Sequence, residues 1–512
     1  MARARLARAR APEDELVTLS GMDRSGAATA SVAGARLLVP GGMPGERVRL
    51  RRLRPVAHSV LCEIVAVVEA SPNRVTPRCS HAGACGGCAW QHIAYPEQLR
   101  RKTAALDVML RKAMGTTAPR VSPAIGMPVG ADGMPWAFRQ KAAFVFDAAP
   151  DGLVMGHFAR GTNDVVRVEE CPVHGERANR IAFALRDALA AAKVSASGPT
   201  TAGVVRHVVV RTSRDETEAV AMLVASRDDE SLSVPLRAVL DGPDKPEGLV
   251  LNLNDRPGPY LVGRESKRVA GPGHVKETSL GPGFLVSPTS FFQTNVAAAA
   301  TLVRLVVEAL PGERGLRVLD LYSGGGLFAL PVAMRGHQVT AVEESRKSVK
   351  DAELNRRLNG LAEERLKIVC SAVERALPHY KPGAFDAVIL DPPREGCPPE
   401  VVGAVFGRLQ PARGIIVSCN PEALARELPL ALAAGYRVLR VQPVDMFPHT
   451  PHVEAVAVLE RLPAGKPGAS VTPRTASSRS RTPGSRTPRA PGRSPTPGSR
   501  RTAGAGPSAR KR

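Results

Sequence analysis

No run of 18 apolar residues occurs anywhere in the 512-residue chain, so the sequence offers no candidate membrane-spanning helix. The amino end carries Arg3, Arg5, Arg8 and Arg10 with no apolar core behind them, which argues against a secretory signal. Cysteine is scarce, with eight in the chain, far too few for a disulfide scaffold. These absences point to a cytoplasmic protein. Acid is missing from both ends: residues 463–512 hold 12 Lys/Arg and no Asp or Glu, and the first ten residues hold four Arg and none. The formal net charge is +22, of which only +6 falls on residues 11–462. A mildly basic body between strongly basic ends predicts an anionic partner, nucleic acid first. The length suits about three domains.

Residues 14–70 read as short strands at 16–19, 35–39, 47–53 and 62–68, broken by Gly21, Gly26, Gly34 and Pro40-Gly41-Gly42. That pattern predicts a small antiparallel β-barrel of the OB-like size class. A cysteine cluster follows within 73–98, then a basic amphipathic helix over 99–114 with Leu99, Leu106, Met109 and Leu110. From about 132 to 289 the pattern is mostly strand, interrupted by one Ala-rich helix near 175–192. From 300 onward strands and helices alternate, which predicts a doubly wound, mostly parallel sheet. Residues 463–512 are Pro, Gly, Ser, Thr and Arg with almost no apolar side chain, so disorder is expected there. That tail either grips RNA or has no specific task.

Four stretches carry chemistry. Asp320-Leu-Tyr-Ser-Gly-Gly-Gly-Leu327 lies between a predicted strand and helix. Its glycines admit a ligand close to the backbone, and Glu343, about 20 residues on, ends the next strand where an acid meets ribose hydroxyls. The full GxGxxG fingerprint is absent, which favours an adenosine cofactor without pyrophosphate. Asp391-Pro-Pro-Arg394 follows the fourth strand, a rigid carboxylate at the ligand-binding end of such a sheet. Ser418-Cys419-Asn420-Pro421 follows the fifth. Asn420 and Pro421 suit an N-cap and a first helical residue, so Cys419 is expected to have a thiol pKa lowered by the helix dipole and to act as a nucleophile. Asp445, His449 and Glu454 are three candidate general bases in one polar segment. Separately, Cys79-x5-Cys85-x2-Cys88 reads as a metal site in a reducing compartment. Zinc would accept its three thiolates together with His92 or His81.

Five ordered motifs resemble those of the RNA uracil-5 methyltransferase family. They are Ser290-Phe-Phe-Gln-Thr-Asn295, Leu319-Asp-Leu-Tyr-Ser-Gly-Gly-Gly326, Asp391-Pro-Pro-Arg394, Val417-Ser-Cys-Asn-Pro421 and Phe447-Pro-His-Thr-Pro-His-Val-Glu454. The barrel resembles a TRAM domain, and the likeness spans about 14–462. It implies a Rossmann-like S-adenosylmethionine methyltransferase domain over 290–462, a TRAM-like barrel over 14–72 and a mostly β central domain over 73–289. Residues 98–131 are expected to pack on the catalytic domain. By position it implies Cys419 as nucleophile and Glu454 as base. It places Gln293, Tyr322, Glu343 and Asp391 in the cofactor pocket and Phe291 near the target base. Tyr322 stands where larger ribosomal members usually have Phe, and Leu327 where they often have Asn. The resemblance further implies a four-iron, four-sulfur cluster on Cys79, Cys85, Cys88 and Cys171, the last preceding Pro172. It tilts the expected substrate toward 23S ribosomal RNA, with transfer RNA as the alternative, and a monomer is expected. A radical S-adenosylmethionine methylthiotransferase would need Cys-x3-Cys-x2-Cys, which is absent. A non-catalytic RNA-binding module would need neither Cys419 nor Glu454.

Overall fold

Alternation of apolar and charged residues builds the first sheet of the computed structural model, which describes residues 14–197, 202–256, 261–312 and 314–463. In Arg47–Val56, Val48 and Leu50 point inward at 0% exposure while Arg47, Arg49 and Arg51 stay in solvent. The strand pairs antiparallel with Glu15–Thr18 on one side and Ser59–Glu69 on the other. Ala35–Val39, Ala28–Val32 and Gly21–Met22 complete a six-stranded barrel-like sheet around Val17, Leu19, Leu37 and Val39. Both basic ends lie outside the described residues.

The central region is a seven-stranded sheet in the order Glu265–Ala270, Gly248–Leu253, Ala219–Ala225, Val205–Thr212, Lys141–Ala149, Gly152–Phe158, Val165–Arg167. Its apolar strands are buried on both faces. The helix Glu176–Ala191 covers one face with Ile181, Ala182, Leu185 and Leu189. A second helix on that face, Ser233–Asp241, escaped the sequence reading. It is nine residues long with Pro235 in its first turn, too short to show a clear period.

The carboxyl-terminal sheet also has seven strands. Their order is Leu366–Cys370, Gln338–Glu343, Arg317–Leu321, Ala387–Leu390, Arg413–Ser418, Glu454–Arg461, Tyr436–Val444. The first five pair in parallel, and Glu454–Arg461 runs antiparallel to both its neighbours, Arg413–Ser418 and Tyr436–Val444. The order reverses between Arg317–Leu321 and Ala387–Leu390, which opens a crevice at the carboxyl ends of the strands.

The hairpin Val275–Glu277 and Phe284–Val286 buries Phe284 and Val286 in the core of this carboxyl-terminal region. That core therefore begins earlier than residue 290, the boundary drawn from the motifs. The helix Tyr95–Met114 precedes the central sheet in sequence, yet Leu106, Leu110 and Met114 are buried with the catalytic sheet. The segment after it runs along the edge strand, with Val121 bridging Val441 and Ile125 bridging Val444.

Candidate active site

Cys419 is placed by a strand that ends and a helix that begins. Arg413–Ser418 is an interior strand, and Pro421–Ala433 follows with Asn420 as its N-cap. The Asn420 side-chain oxygen accepts from the Glu422 amide at 3.0 Å, and its amide nitrogen donates to the Arg394 carbonyl at 2.8 Å. One residue thus starts the helix and ties the 391–397 loop to it. The Glu427 carboxylate, accepting from the Cys397 amide at 2.6 Å, adds a second tie. These contacts tie the loop that follows Asp391 to the helix start beside Cys419, and the Asp391 carboxylate acts electrostatically on the thiol.

The thiol is not poised as the helix start suggests. Burial pushes Cys419 up to about 11, and Glu454 and Asp391 push the same way, while Arg394 partly opposes them. Desolvation and two neighbouring carboxylates outweigh the first-turn dipole. Glu454 opens the last strand, 2% exposed, with its carboxyl held well above the usual range by burial and then by Asp391. Burial lifts Asp391 to about 7. Three acids of raised pKa therefore converge at the strand ends, a common mark of a reacting centre.

The other two candidate bases are structural. Asp445 forms an ion pair with Lys102 at 2.5 Å, both side chains fully buried. Lys102 also donates to the Phe447 carbonyl at 2.9 Å. His449 is fully buried, its Nε2 2.8 Å from the Pro135 carbonyl and its ring stacked on Trp136 at 4.6 Å. Burial pulls it down to about 4. It adopts φ +63°, and its backbone is held from two directions: its amide donates to Gln98 and its carbonyl accepts from the Trp90 amide at 2.8 Å. Sequence reading missed Gln98 and Lys102. Their signal is a stripe at every fourth residue, Gln98, Lys102, Leu106, Leu110 and Met114, in which two polar residues sit on the buried face. Asp445→Asn should leave Lys102 buried without a counter-charge and lower stability by about 3–5 kcal/mol. Urea unfolding monitored by circular dichroism checks this.

The crevice beside these groups is built to take a ligand. Tyr322 adopts φ +62°, an uncommon conformation for a bulky residue, and Gly324 and Gly326 continue the turn with φ +55° and +93°. Nothing lies within 4 Å of where a Cβ on Gly324 would stand. Glu343 takes the Gly324 amide at 3.0 Å and the Ser345 amide at 2.7 Å, one on each carboxylate oxygen, so each oxygen can accept once more. Asp320 is fully buried, its carboxyl held well above the usual range by burial and by Asp391 while the Ala329 amide opposes them, and the Tyr322 hydroxyl lies against Cys397. Gln293 is half-buried on the loop that enters the helix Val296–Ala309. On the same loop Phe292 is buried against Phe284, whereas Phe291 is 80% exposed.

Cys79, Cys85, Cys88 and Cys171 line one cavity of about 400 Å³, together with His81, Arg139, His157 and His174. All four thiols are unpaired. Burial and neighbouring thiols raise Cys88, and push Cys171 up to about 12. Arg139 enters this cavity with a buried Nε that has no hydrogen-bond partner. His92 does not reach it: its ring lies 3.4 Å from the Gly42 carbonyl in the barrel, which removes it as a metal ligand. His157, Cys171 and His174 bring ligand atoms within 4.8 Å of one another.

The comparisons converge on one family. A family model described as tRNA (Uracil-5-)-methyltransferase matches residues 284–462. An uncharacterized RNA methyltransferase of Caldanaerobacter subterraneus subsp. tengcongensis is 32% identical over 455 residues, covering 87% of this chain and 98% of its own. Another, from Gloeobacter violaceus, is 32% identical over 431 residues, covering 84% and 92%. The crystal structure of Pyrococcus abyssi tRNA (uracil-54, C5)-methyltransferase in complex with S-adenosyl-L-homocysteine superimposes with a TM-score of 0.70 at 26% identity, covering 87% of this chain and all of that one. With the strand order, the glycine crevice and the cysteine and acids at its rim, these likenesses establish that the chain belongs to the RNA uracil-5 methyltransferase family.

Proposed function

We propose that this protein methylates uridine C5 in 23S ribosomal RNA through a covalent adduct between Cys419 and uracil C6. The observation that carries the mechanism is the convergence of a thiol and two buried carboxyls at the strand ends: Cys419 feels Glu454 and Asp391 more strongly than any other charge. Uracil C5 is a weak nucleophile. Cys419, as thiolate, adds to C6 and makes C5 enolate-like. When bound, S-adenosylmethionine supplies the electrophilic methyl group that C5 takes. Glu454 then removes the C5 proton, and the electrons of that C–H bond restore the C5–C6 double bond and expel the thiolate. The buried Asp320 carboxyl, the open Gly324 turn and the spare acceptors on Glu343 fit a polar adenosine ligand. In this reading Gln293, Tyr322, Glu343 and Asp391 hold the cofactor. Phe291, with its free ring, stacks on a uracil turned out of its helix.

The choice of ribosomal RNA rests on the barrel and the cysteine loop, which common bacterial transfer-RNA members of the family lack. The fit to the archaeal transfer-RNA enzyme over its full length favours the other substrate. Mapping 5-methyluridine in RNA from a deletion strain decides: a site lost from 23S ribosomal RNA supports the proposal, and loss confined to transfer RNA replaces it.

Four thiols around one cavity suit a four-iron, four-sulfur cluster held by Cys79, Cys85, Cys88 and Cys171. Methyl transfer moves no net electrons, so the cluster would shape the protein or position RNA. Anaerobically purified protein should be brown and contain about four irons per chain. Stoichiometric zinc without iron is the second reading, favoured by the proximity of His157, Cys171 and His174.

A further inference from the structure

Lys141 and Arg211 are directly opposite each other on neighbouring antiparallel strands of the central sheet, so their side chains share a face. On that face lie Val209 and Ala143, packed with Val275 of the hairpin that belongs to the catalytic core. Arg211 is 2% exposed. Among the described residues its Nε has no partner, its side chain makes one long 3.4 Å hydrogen bond from Nη2 to the Ser290 carbonyl, and its guanidinium stands 6.0 Å over the Phe292 ring. Lys141 is half-buried beside it, and its charged neighbour is Arg211 itself. Among the described residues no carboxylate pairs with either cation.

Two adjacent, largely desolvated cations without an acid repel one another and are costly to fold around. Burial and then Arg211 pull Lys141 down to about 8, and burial alone pulls Arg211 down to about 10. Lys102 and Arg74, by contrast, each have a carboxylate at 2.5 Å, Asp445 and Glu46. Arg211 also touches the loop that carries the exposed Phe291. An anion arriving with the target base would relieve the repulsion at the place where that base is needed.

We propose that Lys141 and Arg211 form a site for a backbone phosphate of the RNA substrate, fixing the nucleotide next to Phe291. This rests on the RNA-methylation reading above and adds the group that positions the strand. A guanidinium and an ammonium side by side suit two oxygens of a phosphodiester. The carboxylate of the cofactor's methionine moiety is the competing occupant.

The test uses the full chain and a fluorescein-labelled RNA hairpin with uridines in its loop. Binding is followed by anisotropy across a salt series, and S-adenosylhomocysteine binding by calorimetry. Lys141→Gln should weaken hairpin binding about tenfold at low salt. It should also flatten the slope of log affinity against log salt by about 0.7–0.9, the loss of one phosphate contact. Lys141→Arg should keep the slope. Affinity for S-adenosylhomocysteine should not change. The RNA-free melting temperature of Lys141→Gln should equal or exceed that of the wild type, because a repulsive charge is gone. Arg211→Gln should act in the same direction, and if it fails to fold the two Lys141 variants still decide. An unchanged slope in Lys141→Gln overturns the proposal. So does a fall in S-adenosylhomocysteine affinity without a change of slope, which would give the site to the cofactor. The readouts are binding alone. Wild-type protein that binds the hairpin with this slope yet makes no 5-methyluridine in any RNA would refute the methylation reading and leave the site standing.

Discussion

Cys419→Ala should abolish 5-methyluridine formation while leaving RNA and S-adenosylhomocysteine affinity near the wild-type level. Removing an obligatory nucleophile costs on the order of 10⁴–10⁶ in turnover. The side chain is half-buried and small, and its neighbours are held by the Asn420 side chain rather than through sulfur, so the fold should survive. Cys419→Ser should be nearly as inactive. The wild-type pH profile carries the sign of the mechanism. With the thiol pushed up to about 11, the reactive thiolate is a small fraction at neutral pH and grows tenfold per pH unit. Glu454, also raised, must be deprotonated to act as a base, so its titration moves the rate in the same direction. The single-turnover rate should therefore climb by about an order of magnitude per unit from pH 6 to 8. A flat profile would mean that substrate binding has already ionised the thiol, and full activity in Cys419→Ala would remove the covalent mechanism.

What the sequence disclosed depended on how far apart the cooperating residues lie. The strand–turn–helix around Tyr322–Gly326 and the cap at Asn420 are local, written within a few residues, and both appear in the fold where the motifs place them. Glu454 is separable from Asp445 and His449 by resemblance and by its place at the start of the last strand, a rigid support, and not by chemistry, because all three are polar residues of one short segment. The physical distinction is supplied by partners far away in the chain: Lys102 neutralises Asp445 across 343 residues, and Pro135 meets His449 across 314. The expected low thiol pKa failed for a related reason. A helix start is a local feature, whereas the desolvation and the two carboxylates that oppose it come from strands brought together by the sheet.

The same long-range contacts join the cysteine cavity to the reacting loop. Trp90, two residues after Cys88, donates its backbone amide to the His449 carbonyl and its indole N–H to the Gly26 carbonyl of the barrel at 3.0 Å. Trp136 stacks on the other side of His449 and lies under the Arg78 guanidinium, next to Cys79. The cysteine loop is therefore part of the wall that holds the 445–453 segment, and that segment delivers Glu454. A metal centre there would need no redox role to matter, since fixing the loop fixes Glu454, the proposed base.

Glu454→Gln should stop the reaction after methyl transfer rather than before it. The substitution preserves size at a residue 2% exposed and removes one of the two carboxylates that hold the Cys419 thiol up. Thiolate attack on C6 should accordingly be undiminished, and C5 should still accept the methyl group. A carboxamide cannot take the C5 proton, so elimination of the thiolate fails. The protein should accumulate as a denaturant-stable adduct with methylated RNA, seen as a shifted band and, after nuclease digestion, as a Cys419 peptide bearing a methylated uridine. Asp445→Asn should not trap this species, because its carboxylate is spent on Lys102. His449→Gln should not trap it either, because that ring is buried between Pro135 and Trp136. Trapping by His449→Gln together with normal turnover by Glu454→Gln would make the histidine the base. No adduct in any variant, with Cys419→Ala inactive, would mean that the proton leaves to a group other than these three.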